Sequence, residues 1–163
     1  MRIDFSTWEK DMVPYLQKIT EFLQDIDKNK LILLIPCRGG EYIGSAVKNH
    51  LGLFESQVRR IKFTNTLYEG KKGVIIKREE ESKIWQELIS EVNDEQKILL
   101  VVDDILDTGE TLDYISRAIA IKRRIIAPLY LRENSPKKEL ANIYEREIPK
   151  GWIEFPWENF YKK

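Results

Sequence analysis

Three strand-length runs, apolar at residues 31–35 and 98–102 and apolar after Arg124 at 124–131, constrain this chain more than any other feature. A strand with one wet face alternates apolar and polar residues, whereas a strand covered on both faces reads as a near-continuous apolar run. Between the runs lie helical patterns. Residues 41–51 read as a helix closed by Gly52, Ile84, Trp85, Leu88, Ile89 and Val92 mark a short amphipathic helix, and 111–120 reads as another. Buried strands alternating with helices predict an α/β fold around a parallel sheet covered on both faces. No linker or repeat divides the chain, so residues 1–163 are expected to form a single domain.

The flanking segments are less regular. Ser6-Thr7-Trp8-Glu9 has capping-box spacing, and apolar residues then recur helically from Trp8 to Ile26. Pro14 falls inside that pattern and predicts a kink or a restart. Residues 57–64 read as a strand with Val58, Arg60, Lys62 and Thr64 on one face. Residues 65–82 form the least regular stretch, with a short strand predicted at 73–77.

Charge and composition exclude several functions. Lysine plus arginine (27) balance aspartate plus glutamate (27), so no overall field draws the protein to nucleic acid or a membrane. The apolar runs are too short to cross a bilayer, and the amino terminus lacks a secretory pattern, which predicts a cytoplasmic location. One cysteine, Cys37, and one histidine, His50, rule out an internal disulfide and a zinc cluster of these residue types. His50 reads as a residue complementing a helix end. Chemistry therefore falls to carboxylates, backbone amides, basic side chains or a metal.

The run 98–102 ends in Asp103 and Asp104, followed by Asp107-Thr108-Gly109-Glu110-Thr111 at the start of a predicted helix. Paired carboxylates at the carboxyl end of a parallel strand lie where α/β folds bind ligands. A Thr-Gly-x-Thr turn opening a helix aims backbone amides and hydroxyls at one spot, which suits a phosphate. Carboxylates repel a lone phosphate but accept hydrogen bonds from sugar hydroxyls. Together the two elements fit a sugar phosphate, with Asp107 between them placed as a general base or a hydrogen-bond partner for a base at the anomeric carbon.

Asp103 through Thr111 resembles the phosphoribosyl pyrophosphate (PRPP) motif of type I phosphoribosyltransferases. The resemblance implies that Asp103 and Asp104 hold the ribose hydroxyls, and a Mg2+ ion directly or through water. It also implies that Thr108, Gly109, Glu110 and Thr111 hold the 5′-phosphate through backbone contacts, and that Asp107 is catalytic. Cys37-Arg38-Gly39-Gly40 is similar to the family's pyrophosphate loop, making Arg38, Gly39 and Gly40 PRPP-binding residues and Cys37 a packing residue. Gly70, Lys71, Lys72 and Gly73, with Tyr68, fall where the family keeps a mobile flap.

The tail Gly151-Trp152-Ile153-Glu154-Phe155-Pro156-Trp157-Glu158 reads in part as aromatic anchoring of the chain end. It is also similar to the tail of bacterial and archaeal xanthine/hypoxanthine–guanine phosphoribosyltransferases. By that likeness Trp152 stacks on a purine, the Ile153 backbone reads its edge, and a small hood covers the base. Arg132 stands where that group carries a lysine facing the 6-oxo oxygen, which leaves the base open. The expected activity is purine salvage with PRPP and a nucleobase as partners, in a homodimer or larger homo-oligomer. Transfer to another base, or a PRPP-sensing regulator, are the alternatives.

Overall fold

The computed structural model describes the chain except for Arg38, Glu69, Gly70, Glu95, Trp152, Lys162 and Lys163, and except for the side chains of 66–68, 71, 72, 94 and 159–161. In chain order the elements are α1 (Phe5–Phe22), β1 (Leu31–Pro36), α2 (Gly40–Leu51), β2 (Val58–Ile61), β3 (Phe63–Tyr68), β4 (Lys71–Ile76), α3 (Glu79–Asp94), β5 (Ile98–Leu106), α4 (Glu110–Ala118), β6 (Arg124–Arg132) and β7 (Arg146–Ile148). Five strands form a parallel sheet in the order β2-β1-β5-β6-β7, and β3 and β4 pair as a separate antiparallel hairpin.

The predicted apolar runs are the centre of this sheet. Every residue of β1 is buried. Leu33, Ile35, Leu100 and Val102 pack with Met12, Tyr15 and Ile19 of α1 and with Ile43 and Val47 of α2. Ile32, Leu34, Leu99 and Val101 face the other way, onto Trp85 and Leu88 of α3 and Leu112 and Ile115 of α4. The two-residue period of a strand thus sends alternate side chains into opposite layers. Burying each such side chain stabilises the fold by roughly 1.5–3 kcal/mol. Both faces therefore had to be apolar.

The boundaries correct several expectations. The amino-terminal cap of α1 is Asp4, which accepts the Thr7 amide at 2.8 Å, and Ser6 lies inside the helix. The helix does not restart at Pro14. Beyond the proline, Tyr15 and Ile19 are fully buried, and the Tyr15 hydroxyl donates to the Ala127 carbonyl in β6, so tertiary packing anchors the second half. His50 lies in the last turn of α2, as expected, and its Nε2 is 2.8 Å from the Thr20 hydroxyl.

The single strand predicted at 57–64 is two elements, because β2 pairs with β1 while β3 turns away to pair with β4. That pairing orders much of the stretch read as irregular. Phe63 anchors the hairpin edge-on against Trp85 of α3 and Tyr114 of α4, at centroid distances of 5.6 Å and 5.9 Å. β5 continues four residues past the predicted 98–102 run. Asp103 pairs with Pro128 and Ile105 with Tyr130, so the acids belong to the strand itself.

Strand order also fixes where a ligand can sit. From β1 the chain moves outward to β2 on one side; from β5 it moves outward to β6 on the other. The connections leaving the carboxyl ends of these neighbours therefore diverge, opening a crevice between β1 and β5.

Candidate active site

Gly39 and Gly40 leave β1 directly against the acids of β5. A Cβ on Gly39 would lie 2.2 Å from Asp104 Oδ2, and one on Gly40 would lie 2.8 Å from the Val102 carbonyl and 3.3 Å from Asp103 Oδ1. Glycine is required here for close approach, since Gly39 itself has ordinary helical angles (φ −58°, ψ −46°). Arg38, expected beside them, lies outside the described residues. Cys37 donates to Glu41 Oε2 at 3.5 Å. Burial, and then the charge of Glu41, pushes its thiol up to about 12, which fits packing and not nucleophilic attack.

Asp103 and Asp104 sit side by side, and the Asp104 amide donates to Asp103 Oδ1 at 2.9 Å. Burial drives both carboxyls upward. Asp103 is held well above the carboxylate range, helped by the charge of Asp104, and Asp104 rises to about 6, with Glu158 contributing. Two crowded carboxylates that resist ionisation make a place where hydroxyl donors or a cation would be favoured. Among the described residues no group of three or more histidine, cysteine or acidic side chains forms a metal cluster. Two hard oxygen donors nonetheless suit Mg2+, which retains several of its waters and uses one or two carboxylates.

Beyond the acids the chain turns through Asp107 and Thr108 into α4. Gly109 adopts φ 76°, a left-handed conformation that favours glycine, and a Cβ there would lie 2.5 Å from Lys137 Cβ. No side chain of the N-cap residue bonds to the helix start. Asp103, Asp107, Thr108, Gly109, Glu110 and Thr111 line a cavity of about 120 Å3 at this turn. The cavity thus lies at the start of α4, where a helix presents unpaired first-turn amides and the positive end of its dipole.

A second cleft, about 600 Å3, adjoins this cavity and shares Ile105, Asp107 and Thr108 with it. That volume is within the range of small-molecule sites. Arg132, only 7% exposed, closes one side. Its Nε donates to Asp107 Oδ1 at 3.0 Å and its Nη1 to the Pro149 carbonyl at 2.5 Å. The Arg132 fork therefore ties the turn after β5 to the tail that forms the opposite wall. The Asp107 side chain remains 58% exposed, within reach of a ligand.

Ile153 and Phe155 complete that wall, both buried. Phe155 stacks on Trp157 at 4.9 Å, and Trp157 stacks on Tyr42 of α2 at 4.8 Å. The chain ends are joined as well, with the Ile3 amide donating to the Glu154 carbonyl and the Glu154 amide to the Met1 carbonyl, each at 3.0 Å. Aromatic anchoring thus applies to Phe155 and Trp157. Trp152, expected to stack on a ligand, lies outside the described residues, as do Gly70 and the side chains of Tyr68, Lys71 and Lys72.

The structure therefore brings Gly39, Gly40, Asp103, Asp104, Asp107, Thr108, Gly109, Glu110, Thr111, Arg132 and Ile153 to one crevice and its two cavities. Sequence reasoning missed Asn134, Pro136 and Lys150 in the larger cleft, and Lys137 beneath Gly109; Ile105 was legible only as part of the Asp103–Thr111 stretch. Phe155 and Glu158 were legible only as parts of the tail. No local motif marks Asn134, Pro136, Lys137 or Lys150, because tertiary packing alone brings them in.

The model of the phosphoribosyl transferase domain family matches residues 11–160. A sequence search of curated proteins finds no match. Among solved structures, a purine phosphoribosyltransferase from Pyrococcus horikoshii is similar at 18% identity and a TM-score of 0.67, over 96% of this chain and 92% of that one. A xanthine-guanine-hypoxanthine phosphoribosyltransferase from Helicobacter pylori is similar at 19% identity and 0.66, over 99% and 95% of the two chains. A Neisseria gonorrhoeae protein solved with bound ppGpp is similar at 17% identity and 0.67, over 97% and 89%. At these identities the likeness is one of fold.

Proposed function

The chain belongs to the phosphoribosyltransferase family, and from that premise we propose that it transfers the phosphoribosyl group of PRPP to a purine base, hypoxanthine, guanine or xanthine. One domain, residues 1–163, carries the reaction. The observation that supports this reading most is that the two cavities are neighbours with a common wall. A cavity of about 120 Å3 at the start of α4 and a cleft of about 600 Å3 share Ile105, Asp107 and Thr108 as lining residues. A sugar phosphate joined to a flat heterocycle needs that shape: a small polar end, a carboxylate-lined middle and a larger, partly apolar end.

In this reading the amides and hydroxyls of Thr108, Gly109, Glu110 and Thr111 hold the 5′-phosphate. Binding energy at that remote group then fixes the anomeric carbon for attack. Asp103 and Asp104 accept hydrogen bonds from the ribose diol, and Gly39 and Gly40 let the pyrophosphate approach the backbone, with Arg38 as its cationic partner. The base lies against Ile153, whose backbone reads its edge, with Trp152 on its face. Arg132 faces the exocyclic oxygen with the donors that Asp107 and Pro149 do not use. The base nitrogen bonds to the anomeric carbon as the bond to pyrophosphate breaks, and Asp107 takes the proton released from that nitrogen. Positive charge developing on the ribose is favoured by the neighbouring carboxylates. Asp103 and Asp104 would hold a Mg2+ ion, directly or through water, and that ion would supply charge neutralisation for the pyrophosphate leaving group.

The test is pyrophosphate release from PRPP and Mg2+ with hypoxanthine, guanine, xanthine, adenine, uracil and orotate supplied singly. Release with a 6-oxopurine and formation of the matching nucleotide supports the reading. Release with a different base alone would move the specificity to that base. PRPP binding without release with any base would replace catalysis by sensing.

A further inference from the structure

We propose that Lys137 is an electrostatic support of the phosphate cradle, a positioning residue that neutralises Asp113 in the first turn of α4 and so favours entry of a phosphate dianion at that helix start. The inference rests on reading the 108–111 turn as the 5′-phosphate subsite. Among the described residues lining that cavity are Asp103, Asp107 and Glu110, and neither lysine nor arginine. Asp113 adds a further carboxylate in the first turn of α4. Acids at a helix start stabilise the helix by opposing its dipole, and for the same reason they cancel the field that would attract an anionic ligand.

Two cations answer Asp113. Arg117, one turn along α4, reaches Asp113 Oδ2 at 2.7 Å with a side chain that is 76% exposed, where water screens its charge. Lys137 comes from the segment after β6 and reaches the other oxygen, Asp113 Oδ1, at 3.1 Å, with a side chain 32% exposed. Its stem lies against Gly109, where a Cβ would be 2.5 Å from Lys137 Cβ and 2.9 Å from Lys137 Cγ. One side chain thus supports the left-handed turn from beneath and places its ammonium at the acid of the adjoining helix turn. Lys137 neutralises Asp113, so that this first-turn carboxylate does not offset the field of the α4 amides at the cradle.

The experiment measures ribose 5-phosphate binding by calorimetry and PRPP kinetics with the intact protein, for Lys137→Met, Lys137→Arg, Asp113→Asn and the Asp113→Asn/Lys137→Met pair. Removing the charge should weaken ribose 5-phosphate roughly tenfold and raise KM for PRPP by a similar factor, with a much smaller change in kcat. Arginine should retain affinity. The double variant should return to within about twofold of the parent, because the carboxylate needing neutralisation is gone. That rescue separates electrostatics from simple loss of packing. Parent-like affinity in Lys137→Met, or a double variant no better than Lys137→Met, would overturn the proposal. A parent protein that binds ribose 5-phosphate but turns over no purine would refute the purine reading while leaving this test readable. A parent that binds neither ribose 5-phosphate nor PRPP would overturn both.

Discussion

Alanine at each of the two adjacent glycines of the β1–α2 connection should give opposite phenotypes. At Gly39 the new methyl meets the Asp104 carboxylate, 2.2 Å from Oδ2 and 2.6 Å from Cγ. The backbone there is already helical, so alanine adds no conformational strain. The end of a short side chain can swing aside, by about 1 Å to restore ordinary contact. Stability should change little, but a carboxylate placed to hold the substrate is displaced, and a displacement near 1 Å can cost about 100-fold in rate. That corresponds to roughly 2.7 kcal/mol of transition-state stabilisation.

At Gly40 the methyl meets the Val102 carbonyl at 2.8 Å, a backbone atom of the central strand β5 that cannot swing. Overpacking of this kind costs about 1–3 kcal/mol, or a fall in Tm of roughly 2–12 °C for a domain of this size. The assays are thermal unfolding and base-dependent pyrophosphate release. Gly39→Ala should lose most of its turnover with a near-parental Tm, and Gly40→Ala should lose Tm. Gly39→Ala within about twofold of parental kcat/KM would refute the assigned place of Asp104.

Three further outcomes follow from the site. Asp104 has a folded-state pKa raised above its unfolded value, so between the ordinary carboxylate value and about 6 the folded protein holds protons that the unfolded chain releases, and ligand-free stability falls as pH rises through that window. Asp104→Asn should therefore raise Tm at pH 7, flatten its slope from pH 4 to 6 and reduce activity; a lower Tm at pH 7 would contradict this. Asp107→Asn should cut turnover at least about 100-fold, within the range of general-base effects, while PRPP affinity measured by calorimetry largely survives. Cys37, with its thiol pushed to about 12, should react with iodoacetamide far more slowly in the folded than the unfolded protein, about tenfold faster per pH unit, and rapid labelling of folded protein at pH 7.5 would contradict its burial.

The legible parts of the fold were those whose signal is local. Continuous apolar runs marked β1, β5 and β6 because strands covered on both faces must be apolar at every position, and Gly52 marked the end of α2 through its left-handed φ of 68°. Asp103 through Thr111 were legible because one short stretch carries strand end, turn and helix start. The hairpin was legible only as the short strand expected at 73–77, which overlaps β4; its pairing was not, because β3 and β4 carry charged and polar residues and gain their order from cross-strand pairing and from Phe63 on Trp85 and Tyr114. β7 has three residues, too few for a period, and is defined by its register with β6 at Tyr130, Leu131 and Arg132. The Arg132–Asp107 contact spans 25 positions of sequence, and Lys137 meets Gly109 only because β6 runs beside β5. Side chains that complete a site by tertiary adjacency leave no periodic trace.

The central claim, that the two adjoining cavities hold phosphate, ribose and base of one ligand, is tested most directly by a crystal structure with a purine nucleoside 5′-monophosphate. The account predicts the phosphate on the amides of Thr108, Gly109, Glu110 and Thr111, the ribose diol on Asp103 and Asp104, and the base between Arg132 and Ile153. A nucleotide bound with its phosphate away from the start of α4, or with its base outside that cleft, would contradict it.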